Sequence, residues 1–164
     1  MTLIGDVNGT YTEIVTWVFS STIAAKAWLA TIALALVVVQ VLTASRMWGR
    51  TRRLLPFDVP SVARVHRWSG RLAFAFTLPV FFHCVFILGF ETTDMRVGAH
   101  AVVGSFLYGV FAAKVLVIRT RKAARRESYP HWVLPLAGGL LTAGLTTLWL
   151  TSSLWYFTDV RFGF

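Results

Sequence analysis

The chain has 164 residues, of which 56% are hydrophobic and only 14% are charged, and its mean hydropathy is +0.65. This composition excludes an ordinary soluble domain and indicates an integral membrane protein. A formal net charge of +9 is also typical of proteins that bind nucleic acid. The basic residues gather in loops, and no nucleic-acid reading helix or stacking platform accompanies them, so nucleic acid is excluded as a partner.

Four apolar stretches are each long enough to cross a hydrocarbon layer about 30 Å thick, which takes about 20 helical residues. They run approximately over residues 27–44, 68–90, 97–118 and 132–157. Residues 11–22 are moderately apolar and are expected either to lie along the outer interface or to extend the first span. Because the loops are short, we predict an all-α, up-and-down bundle of four transmembrane helices that forms one membrane domain over residues 1–164.

The basic residues predict the orientation of these spans. The second loop is nearly neutral, whereas the first and third loops and the adjoining helix ends carry Arg46, Arg50, Arg52, Arg53, Arg64, Arg67, Arg71, Arg119, Arg121, Lys122, Arg125 and Arg126. Cytoplasmic loops are enriched in lysine and arginine. The first and third loops are therefore predicted to be cytoplasmic and both termini to lie outside, with the arginines near anionic lipid head groups.

Capping and proline residues predict where the helices begin and bend. Asp58 and Pro60 favour a second helix that starts near Pro60, before its membrane-spanning part, and reaches Phe90. Pro79 lies inside this helix, where it removes a backbone hydrogen bond and permits a kink. The lone cysteine, Cys84, lies at membrane depth, so no disulfide is predicted.

The four histidines fall into two pairs by predicted depth. His66 and His131 lie near the cytoplasmic ends of the second and fourth helices, and His83 and His100 lie in the outer halves of the second and third. His66 and His83 are separated by about 25 Å along an ideal helix, so they cannot bind one metal ion together. The topology thus predicts two positions stacked across the membrane.

This histidine pattern favours haem over zinc or copper. A compact zinc site needs three or four ligands, and neither pair has an obvious third, whereas two axial imidazoles suffice for a haem iron. We predict an outer haem on His83 and His100 and consider an inner haem on His66 and His131. Glycines one turn from an axial ligand leave room for a macrocycle edge, and cations near the interfaces suit its propionates. The predicted cofactor-binding residues are therefore Gly70 and Gly104, with Arg67 and Arg71 for the inner group and Arg96 for the outer group.

Each of these assignments has an alternative without a cofactor. His66 is also suited to bonding lipid or backbone carbonyls at the interface, and His131 to an interfacial aromatic belt. Glycine stripes serve close helix packing in lipid as well. His83 is the strongest candidate, because an ionisable side chain at membrane depth is costly and usually functional.

Several segments resemble a family of small bacterial four-helix membrane proteins of unassigned function. They are "HRWSGRLAF" from residue 66, "LPVFFHC" from residue 78, "AHAVVGSFLYGVFAAKVLV" from residue 99 and "WVLPLAGGLL" from residue 132. More distantly, the arrangement resembles cytochrome b and ferric-reductase-like haem domains. The resemblance implies a multi-pass protein of the bacterial inner membrane, with roles for His66, His83 and His100. His131 departs from the pattern, so one haem b is favoured over two.

The predicted function is that of a b-type cytochrome-like protein that moves electrons between a quinol, a cytoplasmic reductant or a partner subunit and an acceptor at the outer face. A quinone is the second cofactor that this hypothesis admits, and a redox partner protein or complex is expected. No nucleophile triad, phosphate loop or carboxylate pair is visible, so any enzymatic role is that of an oxidoreductase component. The alternative is a cofactor-free accessory subunit of a respiratory or transport complex. A small permease or copper-handling protein is less favoured.

Overall fold

The computed structural model describes residues 3–53, 56–90, 92–124 and 129–162, and every regular element within these ranges is helical. In chain order the helices are α1 (Leu3–Thr16), α2 (Thr22–Met47), α3 (Val59–Phe82), α4 (Met95–Ala124) and α5 (Val133–Trp149). Helix α3 continues as π-helical turns over His83–Leu88, and α5 continues similarly over Leu150–Leu154 and Tyr156–Arg161.

Four helical segments are long and apolar enough to cross a membrane. They are Thr22–Met47, Val59–Leu88, Met95–Thr120 and Val133–Arg161. Large apolar side chains such as Phe86 and Phe106 remain exposed on them, which suits contact with lipid. The prediction of an all-helical protein with four membrane-length helices is confirmed. The placement of both termini outside remains a prediction.

The segment before the first span forms a helix of its own. Helix α1 ends at Thr16, and α2 begins after Ser21, whose Oγ accepts a hydrogen bond from the Ala24 amide at 3.1 Å. Such an N-cap satisfies one of the amides that a helix start leaves unpaired. Residues 11–22 therefore do not continue α2 as a single helix. Their location at the outer interface remains a prediction.

Helix α3 begins where the capping residues indicate. The Asp58 carboxylate accepts a hydrogen bond from the Ser61 amide at 3.0 Å, and this bond holds the pKa of Asp58 below its ordinary value. Pro79 lies inside the helix, and the backbone widens into π-helical turns four residues later. The helix ends at Leu88, short of the predicted Phe90, because Gly89 adopts a left-handed φ of +76° that glycine tolerates best.

The chain divides into two compact units. The first comprises Met1–Phe90 with Ser152–Phe164, and the second comprises Glu91–Thr151. In the first unit, Ala24 and Ala27 at the start of α2 are buried with Tyr156, and Phe157 packs against them. Alanine lets helices approach closely where lipid supplies no hydrophobic driving force. The first unit is therefore held partly by close packing of small residues.

The second unit pairs α4 with most of α5. A Cβ added at Gly144 would lie 3.0 Å from a Leu107 methyl group, and Leu107 and Leu145 are the buried apolar residues of this pair. Gly144 thus provides the space that the Leu107 side chain fills. Packing of a large side chain against a glycine of the neighbouring helix is expected of helices in lipid.

Candidate functional site

His66 belongs to a polar cluster between α2 and α3, which we call the Gln40 cluster: Gln40, Thr43, His66 and Ser69. The amide Nε2 of Gln40 donates to the backbone carbonyl of His66 and to Ser69 Oγ, the latter at 2.7 Å. Thr43 Oγ1 lies 2.9 Å from His66 Nδ1. Thr43 and Ser69 are each only 5% exposed. Each is hydrogen-bonded, as polar groups removed from water must be.

Gly70 allows Gln40 to reach this cluster. A Cβ at Gly70 would lie 3.1 Å from Gln40 Oε1, which is tighter than an ordinary contact. The side of Gly70 that a methyl group would occupy therefore faces the side-chain amide of Gln40 on α2. The structure gives Gly70 a use in helix packing, and its predicted role beside a haem edge remains a prediction.

His83 is the most enclosed of the four histidines. It is 5% exposed and stands at the first π-helical position after α3. Its Nδ1 atom has no hydrogen-bond partner within residues 3–53, 56–90, 92–124 and 129–162. The centroid of its ring lies 5.3 Å from that of Tyr11 on α1, and Lys26 lies within electrostatic range of it. His83 is thus a buried imidazole with one unsatisfied nitrogen.

Tyr11 ties α1 to this end of α3. Its hydroxyl donates to the Pro79 carbonyl at 3.2 Å, and its ring packs on Phe82 with centroids 5.6 Å apart. Burial, and secondarily the nearby Cys84 thiol, raise the pKa of Tyr11 above its ordinary value. The phenol is therefore kept neutral and able to donate.

We expect the pH dependence of stability to change when Tyr11 is replaced. A raised folded-state pKa means that the contribution of Tyr11 is fully present below its unfolded pKa of about 10 and is lost as pH rises through the folded value. Tyr11→Phe should cost about 1 kcal/mol at neutral pH through the lost hydrogen bond. Thermal unfolding in detergent should then show a steeper alkaline loss of Tm for the wild type than for the variant. Equal alkaline slopes would contradict this assignment.

His100 is held within the second unit. Its Nδ1 lies 2.9 Å from Thr151 Oγ1 on the π-helical continuation of α5. The neighbouring Arg96 donates from Nη1 to the Thr151 carbonyl at 2.7 Å. Near Gly104, a Cβ would meet a Leu148 methyl group at 3.7 Å, an ordinary van der Waals distance. The predicted roles of Arg96 and Gly104 toward a haem remain predictions beside these observed contacts.

The remaining predicted residues are exposed. His131 lies in the turn that precedes α5 and is exposed. Arg67 and Arg71 are exposed on α3, and the Arg71 guanidinium carbon lies 5.1 Å from the centre of the Trp68 ring. An arginine over an indole face is a cation–π contact.

The four histidines are divided between the two compact units. His66 and His83 belong to the first unit and lie on one continuous helical segment, while His100 and His131 belong to the second. Across residues 3–53, 56–90, 92–124 and 129–162, no three histidine, cysteine, aspartate or glutamate side chains are grouped as metal ligands. Each imidazole is therefore described by its own contacts.

Sequence reasoning missed the partners of the histidines. Gln40 and Thr43 interrupt the apolar run of α2, and a polar side chain in a span commonly bonds between helices, so they were detectable in principle. Thr151 is one of several threonines along α5, and nothing in the pattern distinguishes it. Tyr11 lies far from Pro79 in sequence, and no periodicity predicts their contact.

Comparison with known proteins gives a family but no function. A family model described as a family of unknown function, DUF6529, matches residues 3–164. No curated protein matches the chain, and no solved structure matches it. The resemblance to cytochrome b therefore gains no support from these comparisons, while the resemblance to a family of unassigned function is confirmed. The chain belongs to the DUF6529 family of unknown function.

Proposed function

We propose that the protein is a b-type cytochrome-like electron-transfer protein of the bacterial inner membrane, in which histidines of the membrane-length helices hold haem. The observation that carries this proposal is His83, which lies in a membrane-length helix, is 5% exposed and has an Nδ1 atom with no hydrogen-bond partner in the described part of the chain. Leaving a buried polar group unsatisfied costs about 1–3 kcal/mol. Polar groups kept at such a cost inside membrane helices are usually functional.

The residues fit the demands of haem. The macrocycle supplies four nitrogen ligands, so the protein needs to add only one or two imidazoles. His66, His83 and His100 all lie within membrane-length helices. Bound haem supplies a single-electron change between ferric and ferrous iron. The apolar side chains of the spans exclude water, and Arg67, Arg71 and Arg96 supply positive charge for propionates.

The electron donor in this proposal is a quinol or a reductase partner on the membrane, and the acceptor lies at the outer face. Electron transfer of this kind needs no nucleophile or general base, and its rate depends on how the protein positions the haem and sets its surroundings. The histidines and their hydrogen-bond partners are then the groups that set the redox potential.

An optical difference spectrum tests the proposal. The full chain, expressed in haem-replete cells and purified in detergent, should show sharp b-type bands in the dithionite-reduced minus oxidised spectrum. A quinol such as duroquinol should reproduce part of this change if the donor is a quinol. A preparation without b-type bands would refute the haem proposal.

The second candidate is a cofactor-free accessory subunit of a respiratory or transport complex. The hydrogen bonds of His66 to Thr43 and of His100 to Thr151 favour it, because each joins two membrane-length helices without any cofactor. This candidate predicts a featureless difference spectrum. It also predicts that replacing His83 leaves every optical property unchanged.

A further inference from the structure

The same histidine–threonine arrangement occurs once in each unit. In the first unit His66 Nδ1 on α3 lies 2.9 Å from Thr43 Oγ1 on α2. In the second unit His100 Nδ1 on α4 lies 2.9 Å from Thr151 Oγ1 on the continuation of α5. In both units the contact joins two membrane-length helices. Each threonine is thus placed to act on the protonation of one imidazole.

The hydroxyl hydrogen of each threonine is committed to its own helix. Thr43 Oγ1 lies 2.6 Å from the Val39 carbonyl oxygen, and Thr151 Oγ1 lies 2.7 Å from the Thr147 carbonyl oxygen. A carbonyl oxygen can only accept, and a hydroxyl has one hydrogen to give. Donation to the residue four positions earlier is the usual bond of a threonine within a helix. Each hydroxyl therefore offers a lone pair to the imidazole.

The imidazole must then be the donor in both pairs. Neutral imidazole carries one N–H and one lone pair, and since Nδ1 faces an acceptor, Nδ1 holds the proton. The lone pair is left on Nε2. Hydrogen-bond networks of this kind are the means by which histidine tautomers are assigned.

We propose that Thr43 and Thr151 are positioning residues that fix the Nδ1–H tautomer of His66 and His100, and that in His100 this makes Nε2 the ligating atom. Metal-binding histidines almost always donate the other ring N–H to an acceptor, which sets the orientation and basicity of the ring. The iron-ligating part of this inference rests on the proposed function. The tautomer part rests on the contacts of Thr43 and Thr151 and does not need haem.

The arrangement distinguishes these two histidines from the others. His83 Nδ1 has no hydrogen-bond partner within the described ranges of the chain, and His131 is exposed in a turn. Threonine control of the tautomer is thus assigned to His66 and His100. For these two histidines, replacing the threonine with valine should change the tautomer of the imidazole ring and leave the helix intact, since valine has nearly the shape of threonine.

Nitrogen NMR of the full chain labelled with ¹⁵N-histidine tests the tautomer directly. The sample is kept reduced with dithionite, so that iron bound by two imidazoles is in the diamagnetic low-spin ferrous state. We expect protonated Nδ1 for His66 and His100 in the wild type. Thr43→Val should change the His66 signals and leave those of His100 in place, and Thr151→Val should do the reverse. Thr43→Ser and Thr151→Ser, which keep the hydroxyl, are the matched controls and should preserve the wild-type pattern.

The outcomes separate the two proposals. Wild-type His66 or His100 protonated at Nε2, or signals that do not respond to the valine variants, would overturn the positioning role. The expected NMR pattern in protein without haem would support the tautomer assignment and refute the proposed function. In haem-containing protein, Thr151→Val should weaken haem binding about 10–100-fold and raise the haem potential, and Thr43→Val should leave both unchanged, because one haem is bound through His83 and His100. An unchanged affinity and potential in Thr151→Val would overturn the positioning role while leaving the haem proposal intact.

Discussion

Replacing His83 with leucine is expected to abolish haem binding while leaving the haem-free fold as stable as the haem-free wild type or more stable. The wild-type side chain is buried and its Nδ1 has no hydrogen-bond partner among the described residues, so leucine removes an unsatisfied polar group and keeps most of the volume. Substitution of a buried polar group by an apolar one of similar shape is often neutral or stabilising when no hydrogen bond is lost. The measurements are the haem content of protein made in haem-replete cells and the thermal unfolding, in detergent, of haem-free preparations of both proteins.

His100→Ala and His131→Ala complete this comparison. His100→Ala should also lose haem, because it removes a predicted axial ligand. His131 is exposed ahead of α5, and its replacement should leave haem content unchanged if one haem is bound. Full haem and an unchanged spectrum in both the His83→Leu and His100→Ala variants would show that the outer ligands are wrongly assigned. Loss of stability in haem-free His83→Leu relative to the haem-free wild type would indicate that Nδ1 is satisfied in the native protein.

The second large effect is expected at the α2–α3 interface, where Gly70→Leu should destabilise the protein strongly. Even a Cβ would lie 3.1 Å from Gln40 Oε1, and the further atoms of leucine must displace the amide that bonds His66 and Ser69. Overpacking of this kind typically costs about 1–3 kcal/mol. The displaced Gln40 amide adds the cost of a lost hydrogen bond.

Gly109→Leu provides the matched control for Gly70→Leu. Gly109 also lies in a membrane-length helix, but no atom lies within 4 Å of the Cβ position there. Thermal unfolding in detergent should show a large fall in Tm for Gly70→Leu and little change for Gly109→Leu. Equal losses would mean that the effect reflects glycine in a span generally and not the Gln40 contact.

The fold class was predictable because a membrane-spanning helix can be recognised from its own stretch of sequence, without knowledge of its neighbours in the fold. A stretch of about 20 apolar residues is sufficient to identify a span, and Asp58 and Pro60 located the start of α3 through bonds within a single turn. The break between α1 and α2 was one of two alternatives that the sequence left open, because residues 11–22 are also apolar enough to extend the first span. At this break the Ser21 side chain caps the start of α2, and the surrounding moderately apolar sequence does not single out that serine.

The site was predictable only in part, because ligating residue types are visible in a sequence whereas their partners are not. His83 was noticed since an imidazole is rare in an apolar run. The acceptors for His66 and His100 depend on which helix faces meet, and Thr43 and Thr151 resemble every other threonine of these helices. Likewise the sequence shows that Gly70 leaves room beside its helix, and only the packing shows that Gln40 approaches it. The local pattern gives the candidates, and the packing decides their neighbours.

The most direct test of the haem proposal is the haem-to-protein ratio of the wild-type chain. The protein is made in haem-replete cells and purified in detergent, its haem is measured as the pyridine haemochrome, and its protein concentration is measured by amino-acid analysis. We expect one b-type haem for each chain, retained through purification. Protein that is folded, as shown by its helical circular dichroism, but free of haem would contradict it.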